Sequence, residues 1–172
     1  MSEEIQSTVT LKRAVQVGMV VRDVEQKMKL FSELFGIGPW RVTEWPLARP
    51  DMKFIYKGQE TKMRMRLAFA SLGQFELELI QPLEGENDYT RFLDTKGEGI
   101  HHILFDVQDM DATLAALGEK GIEVLQTGTG LRPGTRFVYL DTRDLIGFPL
   151  EMRNTVAGSD GSSPVPPAKA TG

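Results

Sequence analysis

The stretch Gly99-Ile100-His101-His102-Ile103-Leu104-Phe105-Asp106-Val107-Gln108-Asp109 sets the reading of the whole chain. It holds the only two histidines of the sequence. Its apolar residues alternate as in a strand, and the run ends on an Asp able to cap a helix. An earlier stretch, Val15-Gln16-Val17-Gly18-Met19-Val20-Val21-Arg22-Asp23, has the same grammar. Aligning Val21-Arg22-Asp23-Val24 with Val107-Gln108-Asp109-Met110 sets Gln16 on His102. A chain that repeats itself, with a potential metal ligand at the matching place, suggests a duplicated module sharing one site.

Outward from these two strands, the order of elements also repeats. In the first half, Asp23 is expected to cap a helix, with Gln26 three residues on approximating a capping box. Val24, Met28, Phe31, Leu34 and Phe35 recur at helical spacing and predict its buried face, and Gly36 and Gly38 are expected to end it. Trp40, Trp45, Pro46, Pro50 and Phe54 predict a strand followed by an irregular excursion. Met63, Met65, Leu67 and Phe69 alternate with Lys62, Arg64, Arg66 and Ala68 as a strand. Phe75-Glu76-Leu77-Glu78-Leu79-Ile80 is another, closed by Pro82. Residues 83–98 read as a polar link. The second half predicts a strand over 100–107, a helix carrying Met110, Leu114 and Leu117 that stops at Gly121, and strands near 122–127, 135–141 and 147–152. The opening strands match at an offset of 86 residues, from 16 to 102, whereas Glu78 and Glu151 match at 73. The first module therefore carries an insertion of 13 residues, placed in the Trp40–Gln59 region.

Composition sets the class. A chain of 172 residues with 41% hydrophobic and 26% charged residues has the make-up of a soluble globular domain. A net charge of −4 gives no bias toward nucleic acid or an anionic membrane. The absence of a signal-type or long apolar run makes a cytoplasmic protein the default expectation. Zero cysteines exclude disulfides, thiolate metal sites and a cysteine nucleophile. Residues 1–12 are expected to be a flexible N-terminus, and 154–172 a disordered tail rich in Gly, Ser and Pro.

Strand parity selects the residues that share a cleft. His102 points with Leu104, while His101 points with Ile103, Phe105 and Val107 toward the helix. The repeat turns Gln16 to the same cleft as His102. Glu78 and Glu151 each end a module in a largely apolar setting, where a carboxylate is costly to bury without a partner. Gln16, Glu78, His102 and Glu151 together offer one nitrogen and three oxygens, a shell suited to one divalent ion such as Zn, Co, Ni or Mn. Any one of them alone is more often a hydrogen-bonded core residue or an edge-strand acid; the argument rests on their recurrence at equivalent places. Arg64 and Arg66 are read first as an exposed solubilising pair. Met63, Met65, Trp40 and Trp45 are read as core packing or as the wall of a pocket.

These segments resemble the vicinal oxygen chelate superfamily, which includes glyoxalase I, methylmalonyl-CoA epimerase, bleomycin-resistance proteins and extradiol dioxygenases. The resemblance is carried by Val17-Gly18-Met19-Val20-Val21-Arg22-Asp23, Glu78-Leu79-Ile80-Gln81-Pro82-Leu83, Gly99-Ile100-His101-His102-Ile103 and Gly147-Phe148-Pro149-Leu150-Glu151-Met152. It covers about residues 13–153 and is nearest to the epimerase-like and glyoxalase-like branch. It implies an α+β fold of two tandem βαβββ modules, about 13–82 and 99–153. These would form a cupped, mostly antiparallel sheet with helices on its outer face, and the protein would be a homodimer. The family's ligand positions match Gln16, Glu78, His102 and Glu151; Gln16 departs from the usual first His of epimerases but matches one branch of glyoxalase I. A single cup-facing His weakens the iron-dioxygenase reading, and nothing after Glu78 resembles the residues that hold glutathione. The epimerase base falls at Lys62, with Glu60 two residues away at the same parity.

The expected function is thus a metal-dependent epimerase, isomerase or lyase acting next to a carbonyl through a metal-stabilised enediolate. Glu151, Glu78 or Glu60 would move the proton, on a substrate bearing a carbonyl, carboxylate or thioester such as an acyl-CoA. The alternative is a non-catalytic small-molecule binder of the bleomycin-resistance type.

Overall fold

A computed structural model describes residues 7–155. Residues 1–6 and 156–172, within the two expected flexible ends, lie outside the described residues. The elements in chain order are β1 (Ala14–Val20), α1 (Val24–Phe35), β2 (Trp40–Trp45), β3 (Phe54–Tyr56), β4 (Gln59–Glu60), β5 (Arg64–Leu72), β6 (Phe75–Glu84), α2 (Asp88–Lys96), β7 (Gly99–Val107), α3 (Met110–Gly118), β8 (Val124–Thr129), β9 (Arg136–Leu140), α4 (Arg143–Ile146) and β10 (Leu150–Asn154).

The strands form one sheet in the order β2-β5-β6-β1-β7-β10-β9-β8-β3-β4. Among the described residues, pairing is parallel only at β1–β6 and β7–β10, and the rest is antiparallel. The two halves meet at β1–β7 and run outward as mirror-ordered quartets, β1-β6-β5-β2 and β7-β10-β9-β8. Register carries the repeat to the level of single residues. Gly18 pairs with Glu78 across β1–β6, and Leu104 pairs with Glu151 across β7–β10. Gly18 and Leu104 are related by the same offset as Gln16 and His102. The central pairs Gln16–Leu104 and Gly18–His102 are therefore images of one another. Because a strand shows alternate residues to each face, this register brings Gln16, Glu78, His102 and Glu151 onto one side of the sheet.

The insertion is more ordered than the sequence suggests. It makes the hairpin β3–β4, turning through Lys57 and Gly58, both at positive φ as a tight two-residue hairpin requires. The hairpin pairs with β8, so a piece of the first half extends the second half's edge. Trp45 at the end of β2 donates its indole N–H to the carbonyl of Thr129 at the end of β8, at 2.9 Å. Arg49 donates to the carbonyls of Leu131 and Gly130. These bonds draw the far edges of the sheet together and curl it into a cup.

Helices α1 and α3 cover the outer face. Asp23 caps α1 by accepting from the Gln26 N–H at 2.9 Å, and Gly36 ends it at φ 65°. Val24, Met28 and Phe31 pack on Ala68, Leu77 and Leu79. The expected buried face is corrected at its last turn, where Leu34 and Phe35 are 64% and 65% exposed. Asp109 caps α3, which ends at Gly118 rather than at Gly121.

The polar link of 83–98 is also corrected, because it contains α2. Asn87 caps this helix through the Thr90 N–H, and its apolar side, Tyr89 and Leu93, joins the inner core with Val20, Met65 and Tyr139. Three turn-like residues before it and a short, mixed composition hid this face from a periodicity reading. Unlike α1 and α3, α2 closes the cup from within. At the other end of the fold, β10 runs to Asn154, whose side chain accepts from the Arg136 N–H, so strand pairing continues past residue 153.

Candidate metal centre

The inner face of the cup bounds an open cavity. Its apolar wall includes Trp45, Met65, Leu67, Phe69, Leu104 and Phe137, and its polar floor Gln16, Glu76, Glu78, Tyr139 and Glu151. His102 lies behind this floor and is fully buried. Its Nε2 is 2.8 Å from Glu151 Oε2 and 3.5 Å from Glu78 Oε2. Ligand atoms of Glu78, His102 and Glu151 all fall within 4.8 Å of one another, a group that can hold a metal ion.

Gly18 is what permits this. A Cβ on Gly18 would stand 1.8 Å from His102 Cε1, inside any allowed contact, so the imidazole lies directly across the β1 backbone. Only a residue without a side chain leaves that space.

The electrostatics follow from burial. Burial alone disfavours the His102 imidazolium, but the charges and hydrogen-bonding reach of Glu151 and Glu78 outweigh it and lift its pKa to about 9. Burial lifts Glu78 to about 6, against the pull of His102. The short Glu151–His102 contact is not an aligned hydrogen bond, and Glu151 Oε2 has no hydrogen-bond partner. A buried carboxylate oxygen without an aligned hydrogen bond, at the convergence of two acids and an imidazole, fits a divalent cation, because a buried anion needs either a partner or a metal. The donor set of nitrogen and oxygen without sulfur suits zinc, cobalt, nickel or manganese.

Gln16 reaches the same floor but is held by another partner, donating to Glu76 Oε1 at 2.8 Å. Glu76 in turn meets Arg41 at 3.3 Å. Glu60 is not brought to the site. It is exposed on β4, the outermost strand of the sheet, and is absent from the cavity wall. The parity count toward Glu60 assumed a continuous strand through Lys62, whereas β4 ends at Glu60, β5 begins at Arg64, and residues 61–63 between them are not in a strand. Arg64 and Arg66 pair with Glu84 and Glu25, exposed and away from the cavity. Trp45 and Met65 line the cavity, whereas Trp40 packs on α1 and donates to Ser32 Oγ.

The sequence reading missed three groups. Arg41, Arg132 and Arg153 place cationic side chains on the cavity wall. Tyr139, paired with Glu151 across β9–β10, sets its hydroxyl 3.3 Å from His102 Nδ1 and 3.4 Å from Nε2. Asp88 lies under His101 at 2.9 Å. The register of β9 against β10 was the available signal for Tyr139; Asp88 had none, because its helix was unread.

The family model described as the Glyoxalase/Bleomycin resistance protein/Dioxygenase superfamily matches residues 15–139. The chain belongs to that superfamily. A mouse mitochondrial methylmalonyl-CoA epimerase is 24% identical over 144 residues, covering 83% of this chain and 72% of that protein. The uncharacterized protein YqjC of Bacillus subtilis is 21% identical over 146 residues, covering 83% and 91%. Among solved structures, a Streptomyces coelicolor methylmalonyl-CoA epimerase in complex with 2-nitronate-propionyl-CoA superposes with a TM-score of 0.62. It is 23% identical, and the match covers 86% of this chain and all of that one. At these identities the structural likeness establishes the fold. No helix among the described residues is long and apolar enough to cross a membrane.

Proposed function

We propose that this protein is a metal-dependent epimerase or isomerase that moves a proton at the carbon next to a carbonyl, with an acyl-CoA thioester as the substrate class. One observation carries the reading: two carboxylates and an imidazole, all buried, converge at the floor of an open cavity, and Glu151 Oε2 makes no aligned hydrogen bond, meeting only the His102 imidazole. Glu78, His102 and Glu151 would hold the ion, with Gln16 a further oxygen donor on that floor. When bound, the ion would polarise the substrate carbonyl and make the adjacent C–H more acidic.

The chain's own groups then handle the proton. Glu78, lifted to about 6 by burial, is close to the value that suits a carboxylate base near neutral pH. It takes the α-proton onto a carboxylate oxygen as the C–H electron pair moves toward the carbonyl. Return of a proton to the opposite face of the carbon inverts the centre, and Glu151, the carboxylate on the other side of His102, is the second group placed to relay it. Arg41, Arg132 and Arg153 suit an anionic group such as the carboxylate of a malonyl-type acid. The apolar wall excludes water from the carbanion-like state.

A lyase at the same site is a second outcome of the same proton abstraction. The sequestering-protein reading is weaker, because an apolar binding pocket has no need of three buried ionisable groups at its floor. The test is hydrogen–deuterium exchange in deuterated water, followed by NMR over 2-methylmalonyl-type thioesters and α-hydroxy ketones, with protein loaded in turn with zinc, cobalt, nickel and manganese. Exchange at the α-position that is lost in Glu78→Gln supports the reading. No exchange with any loaded metal would sink it.

A further inference from the structure

His101 is a fully buried ionisable group on the site's strand that the proposed chemistry leaves idle. Strand parity turns it outward, yet the register of β7 against β1 slips by one residue between Gly18–His102 and Met19–Ile100. The extra residue of that bulge is His101, and a bulge re-aims a side chain. Its ring accordingly lies on the inner side, with centroids 5.3 Å from Tyr89, 5.1 Å from Phe92 and 5.8 Å from Tyr139. His101 Nε2 is 2.9 Å from Asp88 Oδ2, and His101 Nδ1 is 3.2 Å from His102 Nδ1.

We infer that Asp88 and His101 form a relay that fixes which nitrogen of His102 faces Glu78 and Glu151. The inference rests on the metal reading of that site. Two facing imidazole nitrogens at hydrogen-bond distance cannot both be acceptors, so one of them must carry the proton. Asp88 decides which. A carboxylate only accepts, so His101 must present Nε2–H to it. A neutral His101 with its proton on Nε2 has a lone pair on Nδ1. His102 must then be the donor, through Nδ1–H, and once an ion has displaced the Nε2 proton its Nε2 lone pair points between Glu78 and Glu151. That is the form of imidazole that ligates a metal, set by the hydrogen bond its other nitrogen makes.

Asp88 is itself held in place for this task. Its other oxygen, Oδ1, lies 2.9 Å from Arg143 Nη1, and Arg143 is clamped by Asp141. Arg91 approaches the same oxygen at 3.4 Å. Burial works against ionising Asp88, but the hydrogen bond from His101 and the guanidinium charges keep it below the ordinary carboxylate value. Asp88 is also the first residue of α2 and receives the field of that helix's N-terminus. So α2 and α4 appear in the fold where the relay needs them, one to carry Asp88 and the other to anchor it. His101 and Asp88 touch no cavity space and are positioning residues.

The test uses the full chain, with two histidines giving only two imidazole spin systems in long-range proton–nitrogen NMR of 15N-histidine-labelled protein. Zinc-loaded wild type should show Nε2–H on His101 and Nδ1–H on His102. Asp88→Asn, which can present either face of its amide, should lower zinc affinity by about 10-fold and blur the tautomer of His101. His101→Leu should lower affinity by about 10- to 100-fold. His101→Asn sets a carbonyl oxygen near the Nδ1 position, an acceptor that needs no tautomer choice, and should recover most of that loss. Zinc bound with unchanged affinity in Asp88→Asn and His101→Leu would overturn the relay, as would Nε2–H on His102 of the loaded wild type. A wild-type chain that takes up no zinc would instead overturn the metal reading on which the relay depends.

Discussion

The two halves of the cup place polar residues at equivalent register and use them differently. In the second half, His102 crosses the central strand pair to reach Glu78 and Glu151. In the first half its counterpart Gln16 stays on its own side and donates to Glu76. The residue each must pass explains the difference. His102 faces Gly18, where no side chain stands in the way. Gln16 faces Leu104, buried to 2% exposure. Duplication supplied the symmetric positions, and one glycine against one leucine turned them into a single off-centre site.

The largest expected effect comes from removing the group that crosses. His102→Gln leaves two buried carboxylates without the imidazolium between them. It should abolish stoichiometric zinc uptake, measured by elemental analysis after dialysis. It should also cost the metal-free protein about 3–5 kcal/mol, the range for breaking a buried pair, measured by denaturant unfolding. Zinc uptake equal to wild type in this variant would remove His102 from the site.

Gly18→Ala probes the same crossing without touching a polar group. The added methyl would overlap the imidazole and force it off the strand. Zinc affinity should fall on the order of 100-fold, and overpacking should cost about 3 kcal/mol. The symmetric change, Leu104→Ala, removes packing but no polar contact. It should destabilise by a similar amount while leaving zinc affinity within a few-fold. If both variants lose zinc equally, the glycine has no special role.

The asymmetry also has a pH signature. In metal-free protein, His102 has a folded pKa of about 9 against an ordinary 6.5. A raised pKa contributes stability that is fully present below 6.5 and is lost as pH rises toward 9. Zinc binding runs the other way, because the imidazole must first release its proton. The melting temperature of metal-free protein should therefore fall between pH 6.5 and 9, and apparent zinc affinity should rise over the same window. His102→Gln should flatten the first of these trends. A wild-type melting temperature that is flat across this range would mean that the carboxylates do not hold the proton on His102.

The repeat, the paired strands and the four inward-facing residues were legible because strand parity and register are encoded locally, as alternation and as offsets between matching motifs. Three things were not. The bulge at His101 is a slip of one residue between strands distant in sequence, invisible to parity within one strand. Helix α2 follows a polar loop, and the apolar side it turns to the cup, Tyr89 and Leu93, is small in a nine-residue helix of otherwise polar composition. The β3–β4 hairpin finds its partner on β8, more than sixty residues away in the chain, so nothing local announces it. Glu60 was misplaced because its parity was counted from Lys62 as if along one strand, whereas residues 61–63 separate β4 from β5. The bulge and the hairpin lie where pairing between distant segments overrides a local count.

The smallest expected effect falls on Gln16, and it decides how far the symmetry extends into the chemistry. Gln16 donates its amide N–H to Glu76, which leaves only its neutral amide oxygen to face an ion. A neutral amide oxygen is a weaker donor than a carboxylate or an imidazole. Gln16→Ala should therefore lower zinc affinity by less than about 10-fold, in contrast to the loss expected for His102→Gln. Gln16→His offers the stronger nitrogen donor from the first half's side, but Leu104 still stands where Gly18 gives way to His102. If affinity rises in Gln16→His alone, the leucine is no barrier and the two halves are functionally equivalent. If it rises only in Gln16→His combined with Leu104→Gly, the packing at that one position is what made the site lopsided.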